Sequence, residues 1–312
     1  MVPLTRVGLG LAALGRPAYI NLGRDDALPA ERTVEAMREA SWRVLDAAYA
    51  AGIRWVDVAR SYGLAEEFLA GWLAERGVLD LTISSKWGYA YVGGWRMDAD
   101  VHELKEHSLA QFGRQWAESR ALLGEHIAVY QVHSLTPDSP VFTDRPLLEA
   151  LAGLAERGVR VGFSTSGPAQ PEVVDRALAL RVAGRPVFTA VQSTWNVLEP
   201  SVGAALDRAY RGGAHVLIKE ALANGRLAVR PPAALAEIAE RHGVGPDAVA
   251  VAAALARPWV GTVLLGAAGS EQLSSNLGAL AVRLTEQDLD RLGALAESTV
   301  DYWSERGALA WR

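Results

Sequence analysis

The sequence predicts a single (β/α)8 barrel over residues 1–312, an α/β fold of the TIM-barrel type with an extra C-terminal helix and tail. Three observations predict it. Short apolar runs alternate with longer helical patterns eight times, roughly 30 to 40 residues apart. No shift of composition marks a linker. Polar side chains that are costly to bury recur at the carboxyl ends of the apolar runs, where such barrels place their chemistry. A doubly wound sheet competes, but no G-x-G-x-x-G joins a first strand to a helix.

Taken in order, residues 7–11 form a short strand punctuated by Gly8 and Gly10, which either admit a flat ligand or make a tight turn. A loop runs through Pro29. Val34, Met37, Trp42, Leu45 and Ala48 then mark a helix over 33–51, stopped by Gly52. Ile53 to Val58 is a buried strand carrying Asp57, and Tyr62-Gly63 turns the chain after it. Next come a helix over 64–76 and a strand over 81–86 that ends in Lys86. A loop with Trp87, Tyr89, Tyr91 and Trp95 precedes a helix over 101–123, and the strand after it ends at His133. Strands over 159–164, 187–192, 214–219 and 260–265 end at Ser164, Gln192, Lys219 and Gly266. Between and after them lie helices over 145–157, 170–181, 201–211, 232–242, 246–256, 270–280 and 285–297. The last opens on the capping signature Thr285 to Asp288.

Half the residues are hydrophobic, enough for a large core. The net charge is −5 with dispersed basic residues, so no nucleic-acid footprint appears. There is no cysteine, which excludes disulfides and thiolate chemistry. No uninterrupted apolar run of about 18 residues exists, and the first residues lack a signal peptide's pattern. The expectation is a soluble cytoplasmic protein, a monomer or weak homo-oligomer, with no membrane, nucleic-acid or metal partner.

In a barrel, Asp57, Tyr62, Lys86 and His133 converge at one face. An ammonium beside a phenol favours the phenolate and lowers its pKa. Asp57 would hold Lys86 charged, Tyr62 would give a proton to a carbonyl oxygen, and His133 would donate a hydrogen bond to the same oxygen.

The chain resembles the aldo-keto reductases. The resemblance rests on Gly52 to Gly63 against G-I-x-x-x-D-x-A-x-x-Y-G, on Ser85-Lys86, and on Tyr130-Gln131-Val132-His133. It continues through Gly162-Phe163-Ser164, Val191 to Asn196, and Leu265-Gly266 to Asn276-Leu277. It implies hydride transfer between a nicotinamide cofactor and a carbonyl or alcohol substrate, with Tyr62 as general acid or base. It also implies that Gly10 and Leu11 border the cofactor, that Ser164, Thr165 and Gln192 hold the carboxamide, and that Trp195 stacks on the ring. Lys219, Glu220, Leu222, Asn224 and Gly225 would follow the pyrophosphate, and Gly266, Ala268, Ser270, Gln272 and Asn276 would enclose the adenosine end. The resemblance implies NADP(H). NAD(H) is open as well, because the arginine that usually meets the 2′-phosphate is missing near Gly269. Glu220 departs from the family pattern and needs Lys219 or Arg226 to offset it.

Tyr19, Trp87, Tyr91, Trp95 and Trp303 are the substrate-side candidates, with Trp311 beside them, and an aromatic mouth suits planar or sugar-like substrates. The tail that carries the last two either folds over the mouth, frays or meets another subunit. Two other readings stand beside the reductase. One is a cofactor-binding regulatory protein with little or no turnover; the other is a barrel lyase or isomerase.

Overall fold

A computed structural model describes residues 2–311. Eight parallel strands close a barrel: β1 (Val7–Gly10), β2 (Trp55–Asp57), β3 (Thr82–Trp87), β4 (Ile127–Leu135), β5 (Arg160–Thr165), β6 (Ala190–Thr194), β7 (His215–Lys219) and β8 (Thr262–Leu265). Each pairs with its neighbours in sequence, and β8 closes on β1 through Leu9 opposite Leu265. Most strand residues are buried, which is why the strands read as continuous apolar runs.

The helices that cover the strands are α1 (Val34–Ala50), α2 (Ala65–Arg76), α3 (Leu109–Leu123), α4 (Arg145–Glu156), α5 (Gln170–Leu178), α6 (Gly203–Arg211), α7 (Arg226–Val229), α8 (Ala233–His242), α9 (Pro246–Leu255), α10 (Ser270–Leu277), α11 (Glu286–Gly293) and α12 (Thr299–Gly307). Side-chain caps start several of them. Thr33, Ser108, Asp144 and Ser298 each accept a backbone N–H of the first turn, and Thr285 and Asp288 form the anticipated capping box.

Several boundaries differ from the sequence reading; among them, β6 begins at Ala190 and α5 ends at Leu178. The helix expected over 101–123 begins only at Leu109. Residues Glu103–Lys105 instead pair antiparallel with Tyr89–Tyr91, so a hairpin stands beside the barrel mouth. Strand β6 continues past Gln192 to Thr194, and α11 stops at Gly293. The extra helix is α12, and its tail turns back over the mouth: Trp311 stacks on His102 with ring centroids 4.4 Å apart. Among the described residues no helix is long and apolar enough to cross a membrane, and no cluster of His, Asp and Glu suits a metal ion.

A tight backbone crossing sets the position of Tyr62. Leu64 N–H donates to Gly15 O at 2.7 Å. A Cβ on Gly15 would lie 2.1 Å from Tyr62 O, and one on Gly63 would lie 2.4 Å from Gly15 O. Gly63 also has φ +64°. Gly63→Ala therefore meets a clash in addition to about 1–2 kcal/mol of left-handed backbone strain. The expected outcome is a lowered melting temperature together with a lowered kcat, read by thermal denaturation and turnover. A variant with wild-type values of both would show that this crossing does not position the phenol.

Candidate active site

Strand β2 delivers Asp57 and β3 delivers Lys86 to the carboxyl-end face, both almost fully buried. Lys86 Nζ donates to Asp57 Oδ1, to Val58 O at 3.0 Å and to Tyr62 Oη at 3.2 Å. The other carboxylate oxygen of Asp57 accepts from Ser84 Oγ at 2.6 Å, Gln192 Nε2 at 2.9 Å and Gln131 Nε2 at 3.3 Å. A buried carboxylate with this many donors is well compensated. Because the ammonium is shared with Asp57, it does not dominate the phenol. Burial and then the Asp57 charge push Tyr62 well above the ordinary tyrosine value. This corrects the expectation of a lowered pKa: the site holds a neutral phenol with its proton in place.

His133, near the end of β4, meets Tyr62 edge to face with centroids 5.5 Å apart. Burial, with Lys86 and Arg16 nearby, holds it far below the usual histidine range, so it is a neutral imidazole. Its Nδ1 lies 3.2 Å from Ser61 Oγ. A Ser61 hydroxyl donating there puts the ring proton on Nε2, which makes Nε2 the donor. His107 supports it from behind, donating from Nε2 to His133 O at 2.8 Å.

Two cavities meet at Tyr62. The first, about 100 Å³, runs along the ends of β1, β7 and β8 and is lined by Gly10, Gln192, Leu222, Asn224, Gly225, Gly266 and Asn276 from the anticipated cofactor set. The second, about 180 Å³, holds Arg16, Tyr89, Glu103, His133, Ser134, Arg306 and Trp311. Tyr19, Tyr62, Lys219 and Glu220 face both.

Several anticipated residues do not line either cavity, and strand alternation explains two of them. Lys86 and Ser164 point inward, so Trp87 and Thr165, next to them in β3 and β5, point outward; Leu11 and Trp195 lie just past the ends of β1 and β6. Trp87 is fully buried against Phe112 and His107 and is not part of the mouth. Trp195 packs edge to face on Trp259, centroids 5.9 Å apart, instead of facing a cofactor ring. Thr165 is spent on Gln170 and Ser193, at 3.0 and 2.7 Å. Ser164 Oγ already accepts Ser134 N–H at 2.8 Å. Tyr91 and Trp95 hold the hairpin instead: Trp95 N–H donates to Tyr91 Oη, and its indole N–H donates to Arg32 O at 2.7 Å. Trp303 packs on Tyr302 beneath Arg306. Of the five substrate-side candidates, Tyr19 alone lines either of these two cavities.

Glu220 is offset from a direction the sequence reading did not name. Arg306 of α12 grips it, Nε to Oε2 at 2.9 Å and Nη2 to Oε1 at 2.6 Å, with Lys219 Nζ at 3.4 Å and Thr194 Oγ1 at 3.1 Å. Arg226 instead pairs with Glu297 and Glu305. Burial alone would raise the Glu220 carboxyl, but Arg306 and then Lys219 hold it well below the usual range. Lys219 is pulled down to about 8 by burial, against the opposing pull of Glu220. Glu220, Ala223 and Asn224 have φ of 55°, 48° and 54°, so the loop after β7 is wound tightly beside the cavity.

The β1 loop ties the far side. Leu22 N–H donates to Asn224 O at 2.9 Å, and Gln272 Nε2 donates to Gly23 O at 2.8 Å while its Oε1 accepts Ala268 N–H. Ser270 opens α10 beyond Gly269, with Glu271 in the first turn and no cation there. Asn276 donates to Asp247 at 2.6 Å.

The family model "Aldo/keto reductase family" matches residues 6–297. "Aldo-keto reductase str7" of Strobilurus tenacellus is 24% identical, over 93% of this chain and 88% of that protein. Among solved structures, aldo-keto reductase AKR11C1 of Bacillus halodurans superposes with TM-score 0.68 at 22% identity, covering 94% of this chain and 92% of its own. Glycerol dehydrogenase AKR11B4 of Gluconobacter oxydans superposes at 0.70 with 21% identity, covering 93% and 90%. At these identities the superpositions speak for the fold alone. With a family model spanning nearly its whole length, the chain belongs to the aldo/keto reductase family and so to NAD(P)(H)-dependent carbonyl oxidoreduction in general.

Proposed function

We propose that this chain interconverts a small carbonyl compound and its alcohol, with Tyr62 as the proton donor and acceptor. The observation that supports this most directly is that Tyr62 stands on the boundary between two cavities, with Lys86 at 3.2 Å and neutral His133 beside it. In reduction, a carbonyl oxygen in the second cavity accepts hydrogen bonds from Tyr62 Oη and His133 Nε2. Tyr62 gives its proton to the developing alkoxide. Lys86 donates to the phenolate oxygen left behind, and Asp57 holds Lys86 in place.

The first cavity suits a dinucleotide. Gly10, Gly225 and Gly266 bring backbone to its wall without side chains, and nothing lies within 4 Å of a Cβ built on Gly266. Lys219, Asn224, Gln192 and Asn276 are the side chains that would hold it, and the amino end of α10 favours its phosphates. A bound nicotinamide would supply hydride. The first turn of α10 offers Glu271 and no cation, which supports acceptance of NAD(H) alongside NADP(H). Titrating both nucleotides by tryptophan quenching is expected to give dissociation constants within about a hundredfold of each other, roughly 2.7 kcal/mol. A larger preference for NADP(H) would reveal a 2′-phosphate partner elsewhere.

A panel of aldehydes, ketones and sugars with both reduced nucleotides tests the reaction. The name of the Gluconobacter relative puts small polyols on the panel in the oxidative direction. A regulatory protein of the same fold remains the second reading, because the Ser164 and Thr165 hydroxyls are already engaged within the protein. Tight nucleotide binding with no turnover of any substrate would favour it.

A further inference from the structure

The second cavity contains a guanidinium with one edge unused. Arg16 is 1% exposed. Both hydrogen bonds of its guanidinium leave from Nη1, to Ser61 O at 3.0 Å and to Glu103 Oε1 at 2.8 Å. Its Nε is buried without a partner among the described residues. The guanidinium lies over the rings of Tyr19 and Trp311, each at 4.8 Å, and of Tyr62 at 5.3 Å. These rings and the Nη1 bonds fix its plane. The Nε–Nη2 edge that remains is the one through which an arginine takes a carboxylate by two parallel bonds. The wall of the same cavity carries three cations, Arg16, Lys219 and Arg306, against two anions, Glu103 and Glu220.

We propose that the substrate is an oxo acid whose carboxylate docks on the free edge of Arg16 while its carbonyl faces Tyr62 and His133. This rests on the reductase reading above and names its substrate class. A neutral polyol would make use of the paired charges along the wall, but it would leave the Nε–Nη2 edge of Arg16 without an anionic partner. A carboxylate fills that edge with two parallel bonds. Because the guanidinium packs on the Tyr62 ring, the carboxylate sits close to the reacting carbonyl, which favours short acids. In the reaction the carbonyl carbon would receive hydride from a bound reduced nicotinamide, which is oxidised, the oxygen would take the Tyr62 proton, and the carboxylate would be unchanged. Nε is closed off from water, so docking at that edge requires neighbouring side chains to move, and the Trp311 indole over the guanidinium stands close enough to sense it.

The test compares 2-oxobutanoate and 4-oxopentanoate with their methyl esters, using wild type, Arg16→Met and Arg16→Lys. Wild type is expected to favour an acid over its ester by about tenfold or more in kcat/KM, the range of a lost charged hydrogen bond. Arg16→Met is expected to erase that ratio, mainly through the KM of the acid, and Arg16→Lys to restore part of it. Quenching of wild-type tryptophan fluorescence by the acid, absent with the ester, is the accompanying binding signal. Turnover of esters and other neutral carbonyls with no gain for acids, or an equal loss on both in Arg16→Met, overturns the inference and leaves the reductase reading standing. Turnover of no carbonyl at all overturns the reductase reading, and the inference with it. If Arg16→Met does not fold, the wild-type ratio and Arg16→Lys decide.

Discussion

Tyr62→Phe is expected to lower kcat by roughly 10²–10⁴-fold, the usual worth of a positioned general acid, while nucleotide affinity and melting temperature stay near wild type. The ring fills the same space, and only Oη is removed. Lys86 keeps two of its three acceptors, Asp57 and Val58 O, so its charge is not stranded. Asp57 keeps Ser84, Gln131 and Gln192. The loss therefore falls on proton transfer and not on the scaffold. Steady-state turnover alongside nucleotide titration separates the two. A variant that turns over within about tenfold of wild type would remove Tyr62 from the chemistry and leave water or His133 as the proton source.

The second large effect concerns stability. Arg306→Ala leaves Glu220 buried with only Lys219 and Thr194, and breaking a buried pair from one side costs about 3–5 kcal/mol. The loss should depend on pH in a defined direction. Glu220 is held below its unfolded value of about 4.3. The stabilisation it brings is thus present above that value and drains away as pH falls toward its folded pKa. Denaturant titration should show the widest gap between wild type and variant near pH 7, narrowing below about pH 4. A gap below about 1 kcal/mol at neutral pH would show that Lys219 alone suffices. Because Arg306 belongs to the C-terminal helix, the same variant reports whether α12 is held to the barrel by this grip.

These two residues also show what sequence alone could and could not convey. Asp57, Lys86 and His133 are legible because each is a costly group at the end of an apolar run, and Tyr62 because a turn follows at Gly63. Barrel topology then brings together positions that no local pattern relates. Arg306 lies 86 residues from Glu220, and Arg16 lies 87 from Glu103, so no spacing rule links either pair. The Glu103 hairpin was hidden by a helical pattern that, in the structure, starts at Leu109. For Trp87 and Thr165 the reason is simpler. Each follows an inward-facing residue of its own strand, and alternation turns it to the outer layer.

The hydrogen bonds from Leu22 to Asn224 and from Gln272 to Gly23 tie the loop after β1 to the loop after β7 and to α10, beside the first cavity. On the proposed reading, a nucleotide in that cavity would enter and leave past this tie. A catalytic cycle would then contain a step that belongs to the β1 loop and not to the carbonyl. Where that step is slowest, good substrates of quite different structure share one maximal rate, set by the departure of spent nucleotide.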